Sequence, residues 1–468
     1  MGVNSSKKLA AKCSFLSKDE QLIVSNSFKL ASKNSEKIKE DEITKLWGSQ
    51  MDPRLLQYIN NYLFGRGEQK IVTVDLERFA ELFVFCTRGT VDEKVKVLLT
   101  SLGKTEEECN DIPYSLVKEY VEAIVSSYMK IQRLSNSKQY KSWANRGCNT
   151  HTQNSQRLAE SLTRDLAVLG NNAISRRSLE TWLQGSTVLG QLLLFVFMHL
   201  YNISHKDKSA IVNEKQPSSV ESEQATNENE GPRERSLVPY CRGLDLIPSY
   251  PSILDLNQIV FVNAHLPQQY QVEWRFLFSS EIHGESFSTL IGRIVNQGPS
   301  VMVLEDRSGY VFGGFAPANW ALGPNFFGDD SCFLFTLSPR MRIFPSTGYN
   351  QHFQYLNLHQ QTMPNGLAMG GQHNFCGLWL DGEYGKGHSS ESCTTFAGYQ
   401  QMSHTKEFQF RHLEVWGLGQ PPPTPQERGE RVTGKGGSIL DGNAESKAML
   451  KMAGKTIHSE GLREPPNT

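Results

Sequence analysis

Val301-Met-Val-Leu-Glu-Asp-Arg-Ser-Gly-Tyr-Val-Phe-Gly-Gly-Phe315 is the stretch on which the fold turns. Two short apolar runs, 301–305 and 310–315, flank Asp306-Arg-Ser-Gly309, which reads as a hairpin with Gly309 able to take the positive φ its turn demands. Cys332-Phe-Leu-Phe-Thr-Leu337, Leu378-Trp-Leu380 and Phe408-Gln-Phe-Arg-His-Leu-Glu-Val-Trp416 read as further strands, while only 255–265 and 286–294 look helical. Of the 38 glycines, 28 lie after residue 205 and ten before it, so tight turns concentrate in the second half. The expectation for residues 239–420 is an antiparallel β-sandwich with flanking helices.

Residues 17–205 have the opposite character. Ser17-Lys-Asp-Glu20 and Thr90-Val-Asp-Glu93 have capping-box spacing, and Asp52-Pro53 is an N-cap followed by proline at the first helical position. Leu158, Leu162 and Leu166 recur every four residues, and Leu76, Phe79, Ala80 and Phe83 make a similar stripe. An all-α domain with a single core is expected. Its helix pairs invite an EF-hand reading, yet a calcium loop needs the series D-x-[DN]-x-[DN]-G-x5-E to surround a hard cation with oxygen. Residues 17–205 contain no such series, so the pairs are EF-hand-like without calcium loops. The apolar run Val188–Tyr201 includes Gly190, Gln191 and His199 and falls short of the roughly 20 residues a membrane span needs, so it reads as a buried core helix.

Between the two regions, residues 206–238 read as a disordered linker. From 213 to 236 the only apolar side chains besides the prolines are Val220 and Ala225, too few to offset the entropy of ordering. A second spacer, 421–437, is rich in proline and glycine. The final segment, 438–468, offers a helix over 443–453 with Lys447, Lys451 and Lys455 on one stripe and Ala448, Met449, Met452 and Ala453 on much of the other side. Such a short helix is marginal alone. Either it packs back on its own domain, or it docks on a partner through Lys447, Met449, Leu450, Lys451 and Met452, since Met-rich faces suit grooves.

Lys and Arg number 48 against 49 Asp and Glu, a formal charge of -1 over 468 residues. That balance argues against a phosphate-tracking nucleic-acid binder. Positive charge is local instead. Met1-Gly-Val-Asn-Ser-Ser6 fits the pattern for myristoylation of Gly2, and Lys7, Lys8, Lys12 and Lys18 follow before the first acidic residue. One acyl chain holds a membrane only marginally and a basic patch is the usual second signal, so residues 1–16 read as a lipidated, basic membrane anchor. No apolar run of signal-peptide length precedes the first helix, and the cytosol or a cytosol-facing surface is expected. The eight cysteines, at 13, 86, 109, 148, 241, 332, 376 and 393, then read as reduced thiols, and the Asn202 sequon is without consequence.

Candidate chemistry is sparse. His373, Cys376, His388 and Cys393 form two His/Cys pairs of the type zinc takes, but a predicted strand at 377–380 separates them. Cys376 is also a candidate nucleophile, with His359, His373 or His388 as base and Asn374 as orienter, although no helix N-terminus follows to lower the thiol pKa. Glu281, Glu305 and Asp306 offer carboxylates, Asp306 more simply as a turn residue. Gly385-Lys386 is followed by glycine, not Ser or Thr, which rules out a phosphate loop. No catalytic residue, metal or cofactor is expected.

Three motifs carry a resemblance: Trp274-Arg-Phe-Leu-Phe-Ser-Ser-Glu-Ile-His-Gly-Glu-Ser-Phe-Ser288, Val303-Leu-Glu-Asp306 with Phe312-Gly-Gly-Phe-Ala316, and Gly370-Gly-Gln-His-Asn-Phe-Cys-Gly-Leu-Trp379. In this order they resemble the TLDc domain, over roughly 240–420, and the chain as a whole is similar to the lysosomal branch of that family. The resemblance implies a β-sandwich with surrounding helices and no established catalytic activity. It implies partners too: the vacuolar proton-pumping ATPase, mTOR signalling components acting towards S6 kinase, and the cytoplasmic face of the lysosomal membrane, together with a link to oxidative-stress resistance. The function expected is that of a non-enzymatic interaction protein, the alternative being a hydrolase or redox enzyme using Cys376 and nearby histidines.

Overall fold

A computed structural model of the chain describes residues 15–67, 70–104, 111–145, 148, 151–169, 173–203, 236–243, 252–372 and 375–423. The helices of the first half are α1 (Lys18–Ser32), α2 (Glu40–Trp47), α3 (Pro53–Phe64), α4 (Leu76–Thr87) and α5 (Val91–Leu102). They continue as α6 (Tyr114–Ser135), α7 (Lys138–Ala144), α8 (Thr152–Leu169), α9 (Arg176–Gly185) and α10 (Thr187–Tyr201). Both capping boxes form. The Ser17 and Thr90 hydroxyls accept from the Glu20 and Glu93 amides at 3.3 Å, and each carboxylate accepts from the cap amide at 2.7 Å. Asp52 caps α3 directly ahead of Pro53.

Two-residue antiparallel ladders tie the helix pairs together. β1 (Ile38–Lys39) pairs with β2 (Thr73–Val74), and β3 (Ile112–Pro113) with β4 (Ala173–Ile174). Each ladder joins the segments that lead into two helices, with buried Ile38, Val74, Ile112 and Ile174 pointing inward. This is the EF-hand-like pairing, and the loop between α1 and α2 reads Lys33-Asn-Ser-Glu-Lys-Ile-Lys39. Helix α10 is a core helix: the Tyr201 hydroxyl donates to the Phe79 carbonyl at 2.7 Å, and the Trp47 indole to the Leu200 carbonyl at 2.9 Å. Among the described residues no single helix is long and apolar enough to cross a membrane, and α9 and α10, whose combined length would suffice, meet at 84°.

The second half supplies helices α11 (Leu256–His265), α12 (Ser280–His283) and α13 (Phe287–Ile294). Its strands are β5 (Tyr240–Arg242), β6 (Glu273–Ser279), β7 (Ser300–Asp306), β8 (Val311–Ala316), β9 (Phe333–Ser338) and β10 (Arg342–Pro345). After these come β11 (Gln354–Asn357), β12 (Gly366–Met369), β13 (Leu378–Asp381), β14 (Lys386–His388) and β15 (Glu407–Leu418). They follow one hydrogen-bonded path, β10-β9-β8-β7-β15-β14-β13-β12-β11, with β6 also on β15 and β5 on β6. All pairs are antiparallel except β5 with β6. The long strand β15 joins the two leaves of the sandwich: residues 407–409 pair antiparallel with β14, whereas 414–418 pair with β6. Where the ladder changes partner, the Ser280 hydroxyl accepts the Leu413 amide at 3.1 Å.

Neither face of the first leaf meets water at its centre. Along β7, Val301 and Val303 pack with the helices of the first half while Met302 and Leu304 pack against the second leaf. Along β9, Phe333 and Phe335 face the helices and Leu334 faces the sandwich. Gly313 and Gly314 permit the close approach, because a Cβ on them would lie 1.9 Å from the Met302 carbonyl oxygen and 2.6 Å from Met369 Sδ. The expected hairpin is present, with Gly309 at φ +80° and Asp306 Oδ1 accepting the Ser308 and Tyr310 amides at 2.8 and 2.9 Å.

The core therefore runs without interruption from the helical half into the sheet. Helices and sheet meet at Trp143 of α7, fully buried, 4.9 Å from the Trp416 ring and 5.9 Å from Trp274, its indole donating to the Pro239 carbonyl. Asn154 and Ser155 of α8 bond to Asp255 and Asn257 at the start of α11, at 2.9 and 3.0 Å. Trp143→Ala is expected to cost about 3–5 kcal/mol. In chemical denaturation followed by far-UV and tryptophan signals, helix and sheet should unfold in the same transition. A variant that loses only helical signal would contradict the shared core.

Candidate interaction site on the outer sheet

The outer face of the second leaf departs from the polar pattern of a solvated sheet. Register places Tyr355, Ala368, Trp379 and His388 in one row across β11, β12, β13 and β14. Their neighbours Leu356, Leu367 and Leu380 point into the sandwich, so the row necessarily points out. Ala368 is small enough for the flanking rings to close over it: Tyr355 and Trp379 stack at 6.2 Å, and Trp379 stacks on His388 at 5.9 Å. Phe326 and His352, themselves stacked at 4.7 Å, continue the row beyond Tyr355.

A cavity of about 590 Å³ opens over this shelf, walled by Phe326, His352, Tyr355, Met363, Cys376 and Trp379. The same Trp379 ring walls a second cavity of about 470 Å³, whose rim is charged with Asp381, Lys386 and Glu407. Phe375 stands at the edge of the shelf, 63% exposed, with Lys406 Nζ 5.8 Å over its ring. The arrangement is a groove, apolar at one end and charged at the other. It suits an extended or helical segment offering an aromatic or aliphatic anchor.

Cys376 lies in the wall of this groove, where its surroundings favour the protonated thiol over the thiolate. Burial, with Cys393 nearby, pushes its thiol up to about 12, and Sγ donates to the Gln372 carbonyl at 3.3 Å. Of the proposed bases, His388 is stacked on Trp379, and His359 is exposed in the turn after β11 at φ +61°. His373 and Asn374 lie outside the described residues. Among the described residues no three His, Cys, Asp or Glu side chains are grouped to hold a metal ion. Asp306 is the turn residue expected, and Glu281 pairs with His412 at 3.0 Å. The other predicted site residues, Gly2, Lys7, Lys8 and Lys12, and Lys447, Met449, Leu450, Lys451 and Met452, also lie outside the described residues.

The motifs that carried the resemblance are architectural. Trp274 is buried, its indole donating to Asn263 at 2.9 Å, and Arg275 holds the end of β15 through the Gly419 and Gln297 carbonyls at 2.8 and 2.7 Å. Gly370 and Gly371 take φ of +75° and +82° to lead β12 into the loop before Cys376. A forked two-leaf sheet with these anchors defines the second half as a TLDc domain, and that family matches residues 247–419. A chicken (Gallus gallus) protein named MTOR-associated protein MEAK7 is 35% identical over 432 residues, spanning 89% of this chain and 84% of its own length. The human protein of that name is 47% identical over 234 residues, half of each chain, and cattle (Bos taurus) Oxidation resistance protein 1 is 33% identical over 171 residues, 36% of this chain and 19% of its own. The chain belongs to the MTOR-associated protein MEAK7 family of TLDc-domain proteins.

The raised thiol pKa generates a direct expectation. At neutral pH Cys376 should be alkylated by iodoacetamide about a thousandfold more slowly than an unperturbed cysteine. Peptide-resolved mass spectrometry of native protein reads this rate, which should keep rising with pH well above 9 because the thiolate forms only near 12. A plateau below pH 8 would mark an activated cysteine.

Proposed function

We propose that this chain is a non-enzymatic regulatory protein of mTOR signalling towards S6 kinase that acts by docking. It works on the cytoplasmic face of the lysosomal membrane, where it engages the vacuolar proton-pumping ATPase. The observation that carries this reading is the match, over 84% of its length, to a relative named MTOR-associated protein. The aromatic groove beside Trp379 supports a binding role, and the protonated Cys376 thiol weighs against the alternative enzyme. In this reading myristate on Gly2 and the charges of Lys7, Lys8 and Lys12 hold the chain to the membrane. Lys447, Met449, Leu450, Lys451 and Met452 add a second contact to the pump.

Quantitative affinity purification from lysosomal membranes tests both attachments. Gly2→Ala is expected to move most of the protein from the membrane fraction to the cytosol, and unchanged fractionation would remove the lipid anchor from the reading. Deleting 438–468 should weaken capture of the pump by about tenfold or more while the melting temperature of the remainder holds. Equal capture by truncated and intact chains would mean that the end helix packs in cis.

A further inference from the structure

The seam between the helical half and the first leaf holds a separate cleft of about 210 Å³. One wall is α8, which contributes Arg157, Glu160, Ser161 and Arg164. The other is the turn into β10, which contributes Arg340 and Arg342 on either side of Met341. Residues 157 and 164 are two helical turns apart and share a face. Met341 is buried in the shared core, and its carbonyl accepts from Arg164 Nη2 at 2.7 Å, which fixes the helix against the turn.

Among the described residues none of the four guanidiniums forms an ion pair. Arg157 donates to Asn154 Oδ1 at 2.8 Å, Arg164 to Ser161 Oγ at 3.3 Å, and Arg342 to Gln400 Oε1, all neutral oxygens. Two carboxylates face this charge: Glu160, which lines the cleft and also lies 3.5 Å from Lys118, and Asp165 on the exposed side of α8. Burial, with the like charges of Arg342 and Arg340, holds the Arg164 guanidinium below its usual range, and burial with Arg340 does the same to Arg342. Folding has thus gathered four cations around a part-buried recess against one lining carboxylate, the half-exposed Glu160, an excess of positive charge that a bound anion would offset.

We propose that this cleft binds a small polyphosphorylated anion, one phosphate group taken by Arg157 and Arg164 on the helix and another by Arg340 and Arg342 on the turn. Guanidinium forks suit phosphate oxygens in a bidentate manner, and two pairs on opposite walls call for an ion carrying at least two phosphates. An inositol polyphosphate has that chemistry, whether free in solution or as the headgroup of a membrane phosphoinositide. The site is independent of the aromatic groove and of the reading above. Its occupant would bridge the helical half and the TLDc domain.

The test uses the full chain carrying Gly2→Ala, so that the lipid does not contribute, alone and combined with Arg340→Gln and Arg342→Gln. Probes are inositol 1,4,5-trisphosphate, inorganic phosphate, and phosphatidylcholine vesicles with or without phosphatidylinositol 4,5-bisphosphate. Inositol trisphosphate is expected to bind saturably in calorimetry and to raise the melting temperature, with inorganic phosphate at least about tenfold weaker. The arginine substitutions should weaken trisphosphate binding by about tenfold or more, while the unliganded variant melts no lower than its parent because repulsion has been relieved. Sedimentation with the phosphoinositide vesicles, competed by soluble trisphosphate, would assign the lipid headgroup; trisphosphate binding without vesicle binding would assign the free ion. Absence of saturable binding to any probe, or equal binding by both chains, would overturn the proposal.

Discussion

A β-sheet with no solvent face is the constraint from which most of this molecule follows. Val301 and Val303 need the helices, Met302 and Leu304 need the second leaf, and one strand therefore demands two partners. Apolar burial contributes about 25 cal/mol per Å², so leaving either face uncovered would cost more than a domain's usual margin of stability. Trp143, Trp274 and Trp416 meet where the demand is greatest, each indole hydrogen still finding an oxygen. With both sides of this leaf covered, recognition is left to the outer face of the second leaf, the strand edges and the seams.

Much of this was legible in the amino-acid pattern, and the rest was hidden for identifiable reasons. Caps are local, so Ser17, Asp52, Thr90, Asp255 and Ser286 mark helix starts that the structure repeats. Strands announce themselves by composition, and the hairpin by Asp306 and Gly309. A continuous run such as Val301–Leu304, however, has no period that reveals a second buried face. The low-complexity stretch around 213–236 reads as a domain boundary, and no local pattern reveals that the chain on either side of it packs around one apolar core. The aromatic row escaped notice because Tyr355, Ala368, Trp379 and His388 are brought together only by strand register. Arg157 and Arg164 gave no hint of Arg340 and Arg342, nearly two hundred residues away.

The two clefts divide the chemistry of recognition between them. The groove over Trp379 offers rings, a thioether and a thiol that stays protonated, which select by shape and apolar area. The seam offers four guanidiniums against a single carboxylate, with neutral oxygens between them, and selects by charge and geometry. An overall charge of -1 conceals this contrast entirely, because the arginines of one recess are balanced by carboxylates scattered elsewhere.

The uninterrupted core also has a mechanical meaning. Phe15 and Gln420 belong to the same body, in which α7, β5 and β15 are packed with no hinge between them. Whatever is fastened at one end of that body is held at a set distance and orientation from whatever is fastened at the other. Tension applied between the two would be carried by interlocked tryptophans and strand ladders loaded together, as in a strut, and not absorbed by a flexible joint.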